Sequence, residues 1–367
     1  MIGLSRISAV AHVELLRLLR APTSFTLLLL VPAMQVLLFG YAIRPDAANV
    51  RIAVSGPVGS NVNDVANRLE KTPGLTVVMR SAEPGAAARA VRARAALIGV
   101  EVPAVKSFAN PLLVQRPVRV TVDATNAGLS DVAVARVETG YWQVLAERQQ
   151  VADTGPGIMI ERLYNPAARA DWSFLPALIG VTVMIAMIML GSLGLARERE
   201  TGTWEALLGL PISRGQLMLG KLIPPIIIGT VQGALVLASG IALFDLPMRG
   251  DVAALILLLP LFAATHAAIG QAIAMRAATQ LAALQGAVAF YLPAMLLSGF
   301  LYPFETLPDW AQAVGSAFPL THFIRAAHGA LLRGDGALAV LAHGLPILAL
   351  LIGVIALMMA ARDRQLD

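Results

Sequence analysis

Six long runs without Lys, Arg, Asp or Glu limit what this 367-residue chain can fold into. Each run is long enough to cross a hydrocarbon core of about 30 Å as an α-helix. Charged residues make up 14% of the chain, against about 25% in an ordinary soluble protein. These features predict a mainly α membrane protein with six transmembrane helices, at residues 22–43, 173–196, 222–244, 252–275, 277–302 and 338–361.

Residues 1–21 are predicted to form a cytoplasmic interfacial helix ahead of the first span. At helical spacing Arg6, Arg17 and Arg20 fall within about 60° of one another, and apolar residues gather on the opposite side. A cleavable signal peptide is the alternative, because basic residues precede an apolar run. However, the run 22–43 is longer than the apolar core of a signal peptide, which has about 7 to 15 residues. We therefore interpret it as an uncleaved first span.

The segment 44–171 differs in character, because its 15 basic and 12 acidic residues are more than half of the charges in the chain. Strand-like stretches alternate here with helix-like stretches, which predicts a water-soluble α/β domain between the first two spans. The predicted strands are 50–54, 75–79, 96–102 and 118–124, and the predicted helices are 61–72, 83–94 and 129–150.

The basic residues predict the orientation of the spans. With a cytoplasmic N-terminus, the cytoplasmic segments hold ten Arg and Lys residues and the short outer loops hold three, Arg249, Arg325 and Arg333. This asymmetry satisfies the positive-inside rule, from which a large translocated domain is exempt. Both termini are therefore predicted to be cytoplasmic and the α/β domain extracytoplasmic.

Residues 172–367 are predicted to form a five-span transmembrane domain. Within it, the segment 303–336 is too apolar for free solvent, and Pro308 and Pro319 interrupt it too often for it to cross the membrane. We therefore predict two short re-entrant helices in the outer leaflet, whose non-helical backbone must be buried in protein.

A charged segment between the second and third spans, at 198–210, is predicted to form a short cytoplasmic helix. A hydrophilic hairpin needs charges to stay out of the membrane, and this explains most of them. Thr201 or Thr203 is placed to cap the start of the helix, and Pro211 is placed to stop it.

The same segment carries an apolar face that the need for solubility does not explain. Trp204, Leu207 and Leu208 have the spacing i, i+3 and i+4, so they share one side of a short helix. An apolar face on a cytoplasmic helix indicates a groove in which it is bound.

The sequence offers an incomplete nucleotide-binding motif. Gly215, Gly220 and Lys221 form GxxxxGK, but Leu222 follows where a phosphate-binding loop has Ser or Thr. The motif also lies at the entrance of a span, and not after a strand. We predict no nucleotide site on this chain, so any ATP must be bound by another polypeptide.

No catalytic site, metal site or nucleic-acid interface is predicted. The five histidines are dispersed, cysteine is absent, and the basic residues are scattered along the chain. No Ser, His and Asp set stands out as a nucleophilic site. The few polar residues inside the spans are interpreted mainly as helix-to-helix hydrogen bonds, with a hydrated pathway as the alternative.

Two long motifs resemble the type 2 ABC transporter permeases, in the bacterial exporter branch that has a large extracytoplasmic domain. RERETGTWEALLGLPISRGQLMLGKLIP, at 197–224, is similar to the coupling segment of that family, and LPAMLLSGFLYPFETLPDWAQAVGSAFPLTHFIRAAHGALLRG, at 292–334, is similar to its outer-leaflet signature. YNPAARADWSFLPALIG and VTVDATNAG resemble the entry to the second span and the end of the extracytoplasmic domain. One departure is AVSGPVGSN, where the family usually has an acidic turn after the first strand.

The resemblance implies a permease subunit in a bacterial inner membrane. Such a subunit pairs with a second copy or a paralogue, and each half is driven by a cytosolic ABC ATPase that carries ATP and Mg²⁺. The implied activity is export of an amphipathic substrate, such as a drug, a lipid or a lipid-linked molecule, with a periplasmic adaptor as a further candidate partner. A membrane sensor or assembly protein, whose extracytoplasmic domain binds a ligand or a periplasmic adaptor, is the alternative.

The resemblance also implies roles for individual residues. Those implied to dock in the ATPase are Glu200, Thr201, Gly202, Thr203, Trp204, Glu205 and Leu208, and the apolar face adds Leu207. The second and fifth spans are implied to line the translocation path, with Met184, Met187, Gln285 and Ser298 as its candidates.

Overall fold

The computed structural model describes residues 2–20, 30, 34–35, 50–58, 60–72, 74–103, 118–125, 134–138, 158–166, 169–209 and 211–360. These residues fall into two compact units. The helical unit draws on 1–42, 174–300 and 310–367, and the sheet unit draws on 43–173 and 301–309.

The helical unit begins with α1, Ile2–Leu19, which lies in the segment predicted as the interfacial helix. Ala11 is buried, whereas Leu4, Val13 and Leu19 are exposed. The predicted first span follows at 22–43 and lies outside the described residues, apart from residues 30, 34 and 35.

The sheet unit contains a five-stranded mixed sheet in the order β2-β1-β3-β4-β5. Strand β1 pairs in parallel with β2 and β3, whereas β3 and β4 are antiparallel and β4 and β5 are parallel. Two helices connect the first three strands. The elements are β1 (Val50–Ser55), α2 (Val62–Lys71), β2 (Leu75–Ser81), α3 (Ala86–Arg92), β3 (Ile98–Glu101), β4 (Val118–Asp123) and β5 (Ile158–Leu163).

Helices cover both faces of this sheet, because successive side chains of a strand point to opposite sides. Ile52 of β1 belongs to the apolar cluster that contains Leu69 of α2. Its neighbour Ala53 belongs to a second cluster, with Ala87 and Ala90 of α3. The α/β architecture predicted for this segment is therefore present.

The predicted strands and helices of the sheet unit agree with the structure, apart from the following differences. Strand β5 was not predicted. The helix predicted at 83–94 is shorter, because α3 begins at Ala86 and ends at Arg92. The strand predicted at 96–102 is also shorter, because β3 is Ile98–Glu101. Of the helix predicted at 129–150, only residues 134–138 are described, and these are helical.

Five segments of the helical unit, among the described residues, are long and apolar enough to cross a membrane. They coincide with five of the six predicted spans. The helices that form them are α4 (Ala170–Glu200), α6 (Arg214–Phe244), α7 (Val252–Ala274), α8 (Gln280–Leu297), and the consecutive pair α11 (Ala337–Ala342) and α12 (Gly344–Ala360), with the short helix α5 (Thr203–Leu208) between α4 and α6.

Side chains cap the first turns of these helices. Ser213 accepts a hydrogen bond from the backbone N–H of Gln216 at 3.2 Å, and Gln216 Oε1 accepts from the backbone N–H of Ser213 at 3.1 Å. This reciprocal pair fixes the start of α6. Asp251 and Thr279 are the corresponding caps of α7 and α8.

Glycines bring α4, α6 and α7 into close contact. A Cβ atom on Gly191 of α4 would clash with the backbone carbonyl of Ala267 of α7, and one on Gly270 would clash with the carbonyl of Ile188. On α6, a Cβ on Gly233 would lie 2.6 Å from Leu259 Cδ2 of α7. Small residues allow helix backbones in a membrane protein to approach in this way.

The segment predicted as re-entrant contains two short helices, as expected. They are α9 (Asp309–Gly315) and α10 (Pro319–His328), preceded by a 3₁₀ turn at Phe304–Thr306 and followed by a π-helical turn at Gly329–Arg333. Helix α10 is deeply buried, and the rings of Phe323 and Phe262 of α7 lie 4.4 Å apart between centroids. The position of these helices in the outer leaflet stays a prediction.

Candidate functional site

The candidate site is the hairpin between α4 and α6, which contains the predicted docking segment 198–210. Helix α4 continues to Glu200, so the first three residues of that segment belong to α4. Gly202 then adopts φ +71°, a left-handed conformation that glycine tolerates, and the chain turns into α5. The separate helix in the hairpin is therefore six residues long.

The two threonines of the turn bind the end of α4. Thr201 Oγ1 donates to the carbonyl oxygen of Arg197 at 2.9 Å, and Thr203 Oγ1 donates to that of Glu198 at 3.2 Å. The last carbonyls of a helix lack intrahelical partners, so these bonds complete α4. The sequence placed these threonines as caps for the start of the following helix, whereas their hydroxyls serve the preceding one.

Trp204 is directed toward the body of the same chain. It is half-buried and packs against an apolar cluster where the ends of α4 and α7 meet the start of α8, whose buried members are Leu195, Ala196, Ala274, Ala277 and Ala283. Leu207 is half-buried and Ala206 is exposed. The side chains of Glu205 and Leu208 lie outside the described part of the chain.

The charges of the segment 198–200 bind neighbouring helix ends. Arg199 Nη1 donates to the carbonyl oxygens of Ala274 and Met275 at the end of α7. Glu200 Oε2 accepts from the backbone N–H and the side-chain amide of Gln280, at 3.0 and 2.9 Å. Basic groups at a helix C-terminus and acidic groups at an N-terminus complement the helix dipole.

Glu198 belongs to a nearly buried ion network with α1 and α6. Its Oε1 accepts from Lys221 Nζ at 2.6 Å and from Arg17 Nη1 at 3.1 Å. Lys221 Nζ also lies 2.5 Å from Glu14 Oε1. The side chains of Lys221 and Glu198 are 6% and 8% exposed, so each charge depends on the others for compensation. This network joins α1 to the two helices that flank the hairpin, at the end of α4 and in the first turns of α6.

Lys221 is also the lysine of the incomplete phosphate-loop motif, and the network gives it a structural role. Gly220, beside it, allows α1 to approach, because a Cβ there would lie 2.7 Å from Val10 Cβ. Sequence reasoning missed Glu14, Arg17 and Lys221 as site residues. A signal was present, since a lysine at the edge of an apolar run needs an acidic partner, and Glu198 is one of the acidic residues on the other side of the hairpin.

The four predicted path residues differ in burial, and their role in a translocation path stays a prediction. Met184 and Met187 are fully buried in the helix bundle, and a Cβ on Gly229 of α6 would lie 2.7 Å from Met187 Sδ. Ser298 is buried and donates to the carbonyl oxygen of Ala294 in its own helix. Gln285 is exposed on α8.

Most polar side chains described in the spans bond within the bundle. Thr265 Oγ1 donates to the carbonyl oxygen of Leu261 at 2.8 Å, and His266 Nδ1 lies 2.9 Å from that of Phe262. Thr182 Oγ1 lies 3.2 Å from Gln35 Oε1, which ties the predicted first span to α4. Within the described ranges, no group of three or more His, Cys, Asp or Glu could hold a metal ion.

His322 lies in α10, outside the apolar helices. Burial lowers the pKa of its imidazole below the usual 6.5, and the repulsion from Arg325 acts in the same direction. Its Nε2 lies 2.9 Å from the carbonyl oxygen of Ser316, which opposes the shift. The lowered pKa favours the neutral ring, and the hydrogen bond holds α10 to the turn before it.

Comparison with known proteins identifies the family. The profile of the ABC-2 type transporter domain matches residues 137–332, which include α4 to α10 and the hairpin. This chain belongs to the ABC-2 type transporter family. The resemblance noted in the sequence is thus confirmed.

Named relatives of the ABC-2 family align with most of the chain. The probable multidrug ABC transporter permease YbhR of Escherichia coli is 29% identical over 84% of this chain and 85% of its own length. The probable multidrug ABC transporter permease YbhS of the same organism is 27% identical over 99% of this chain and 98% of its own length. The linearmycin resistance permease protein LnrN of Bacillus subtilis is 24% identical over 86% of this chain.

Proposed function

We propose that this chain is the membrane-spanning permease subunit of an ATP-driven exporter, with ATP and Mg²⁺ bound by a separate cytosolic ABC ATPase. The family match carries this proposal, since the profile covers the hairpin together with the spans on both sides of it. Relatives that align with most of the chain are named as multidrug and linearmycin resistance permeases. The chain itself would not be an enzyme.

The substrate class that fits best is an amphipathic molecule, such as a drug, a lipid or a lipid-linked molecule. Relatives named as a multidrug permease and a linearmycin resistance permease support a drug as the substrate. The helices that would line the route are strongly apolar, with few polar side chains among their described residues. Transport would proceed from the cytoplasm or the inner leaflet outward, and the sheet unit would face the periplasm, where it could bind an adaptor.

The orientation follows from charge. The basic residues near the span ends are concentrated on the same side of the membrane as the hairpin. This side, which also holds both termini and α1, is therefore proposed to face the cytosol of a bacterial cell. The ATPase would then bind the exposed residues of the hairpin. Glu200 is exposed and would belong to that surface, whereas Trp204, which packs against the rest of this chain, would support it from behind.

The translocation route is proposed to run between two permease copies, or a copy and a paralogue, along α4 and α8. Gln285 has the exposed position that such a route or interface requires. Met184 and Met187 are enclosed within one subunit, so they would reach the route only after the bundle opens.

Co-purification tests the proposed function directly. The tagged full-length chain is extracted from its native membrane in mild detergent, and an ABC ATPase is expected to purify with it. Ala206→Arg, on the exposed side of α5, is expected to lower the recovered ATPase at least tenfold, because a long cation replaces a methyl group in the docking surface.

Ala9→Arg is the matched control, since Ala9 is an exposed alanine on α1. It is expected to leave ATPase recovery unchanged. Recovery of the wild-type chain without any ATPase would contradict the proposed function and would favour a membrane sensor or assembly protein.

A further inference from the structure

The hairpin is tied to one transmembrane helix, α8, by a polar contact. Gln280 is the first residue of α8, and both its backbone N–H and its side-chain amide donate to Glu200. Thr279 caps the same helix through the backbone N–H of Ala282, at 3.2 Å. The start of α8 is therefore held by its own cap and by a residue 80 positions earlier in the chain.

An apolar contact joins the same two elements. Trp204, in the first turn of α5, packs against the cluster that contains Ala283 of α8, and Ala282 packs against the same cluster. Glu200 and Trp204 stand on opposite sides of the turn at Gly202. A displacement of α5 away from α8 would therefore break contacts on both sides of that turn.

The rest of α8 is weakly packed in the described structure. Of the residues in its most apolar stretch, 17% are buried within the chain, against 78% in α4 and 67% in α7. Only Ala283, Ala287 and Ala294 are buried along its whole described length. An element with few buried contacts moves at a low cost in free energy. Among the contacts within one chain, the contact with the hairpin is thus a large share of what fixes the start of α8.

The end of α7 is held differently. Arg199 binds its last carbonyls, but most of α7 is buried among α4, α6 and α10. A displacement of the hairpin should therefore leave α7 in place and tilt α8.

We propose that Glu200 is a positioning residue that, through Gln280, makes α8 follow the hairpin when the ATPase displaces α5. The inference rests on the proposed function, because it requires an ATPase at the hairpin. The hydrogen bonds from Gln280 to Glu200 transmit the displacement to α8. The packing of Trp204 against the cluster that contains Ala283 holds α5 close to the start of α8.

Gln280→Pro removes the link without touching the hairpin. Proline lacks the backbone N–H and the amide, so both hydrogen bonds to Glu200 are lost. Proline is well tolerated at the first position of a helix, and Thr279 already has the extended conformation, φ −133° and ψ 162°, that a residue before proline adopts. Val252→Pro, at the first position of α7, is the matched control.

Electron spin resonance on the complex with the co-purified ATPase measures the movement of α8 as two distances between spin labels. The chain has no cysteine, so Gly209→Cys, Leu257→Cys and Leu281→Cys place labels on the hairpin, α7 and α8. The labelled chain is diluted with unlabelled chain, so that each complex carries one labelled copy. Distances are measured with and without ATP and vanadate.

In the wild-type and Val252→Pro complexes, trapped nucleotide is expected to change the Leu257–Leu281 distance and to leave the Gly209–Leu281 distance unchanged. Gln280→Pro is expected to reverse this pattern while ATPase recovery stays the same. The proposal is overturned if Gln280→Pro responds like the wild type, or if α8 does not move in the wild type. If the proposed function itself is wrong, the co-purification shows it before any distance is measured, because no ATPase purifies with the wild-type chain. The proposal about Glu200 is then overturned as well.

Discussion

Lys221 shows how one side chain can connect three helices at the base of the hairpin. Its ammonium group lies between two carboxylates, those of Glu14 and Glu198, and is nearly excluded from water. The desolvation of such a group is offset only while its partners are in place. Lys221 therefore connects α1, α4 and α6 at a single point.

Lys221→Met is expected to destabilise the chain by about 3 kcal/mol, because Glu198 stays buried with Arg17 as its remaining described cation. The measurement is the midpoint of thermal unfolding in detergent. Glu198→Gln combined with Lys221→Met should recover part of the loss, since the double variant leaves no uncompensated charge at this pair. Lys71→Met, at an exposed lysine of α2, is the matched control. A midpoint equal to that of this control would show that the network contributes nothing.

Single residues also show what sequence reasoning could not supply. The pattern of Trp204, Leu207 and Leu208 predicted an apolar face bound by a partner, but it could not say which protein each side chain contacts. Trp204 packs against an apolar cluster of its own chain, and the binding of the whole face by a partner stays a prediction. Likewise, the contact between Lys221 and Glu14 joins residues 207 positions apart, and nothing local in the sequence encodes that distance.

At the scale of elements, hydropathy predicted the long helices well, because a helix that crosses a bilayer must be apolar over its whole length. The ends of the helices were harder to predict, since a cap such as Ser213 fixes a helix start through one or two hydrogen bonds. Strand β5 was missed because its sequence, IMIERL, gains its strand character from pairing with β4, and that pairing is decided by the fold.

The crossing of α4 and α7 offers a test within one helix. Gly191→Ala is expected to lower the midpoint of thermal unfolding, because the added methyl meets the backbone of Ala267, which cannot move aside. Gly194→Ala, three residues later, meets nothing within 4 Å and should be neutral or slightly stabilising, since alanine favours helices over glycine by about 1 kcal/mol. Equal effects of the two substitutions would contradict the close backbone approach.

At the scale of the whole molecule, α8 presents an exposed stripe that includes Leu281, Gln285, Leu292 and Leu296. A glutamine amide on such a surface is costly in lipid, and a second copy could satisfy it. The stripe therefore supports a dimer in which α8 lies at the interface.

Gln285→Cys is expected to form a disulfide-linked dimer on mild oxidation of native membranes, measured by non-reducing gel electrophoresis. Leu357→Cys, on the exposed side of α12, is the control and should remain monomeric on the gel. The absence of native cysteine makes any cross-link specific to the introduced residue. If Gln285→Cys does not cross-link, either the partner is a paralogue or another face forms the interface.

The glycine crossing also has a geometric consequence. With backbones in contact at Gly191, α4 cannot shift sideways against α7 there, so rotation about that point is its least hindered motion. Gly191 is about 14 Å from Glu200 and about 26 Å from Phe174 at 1.5 Å per residue. A rigid tilt would therefore move the Phe174 end of α4 almost twice as far as the end that holds the hairpin. The helix would act as a lever with unequal arms, so that a small displacement at the hairpin becomes a larger one at the opposite end of α4.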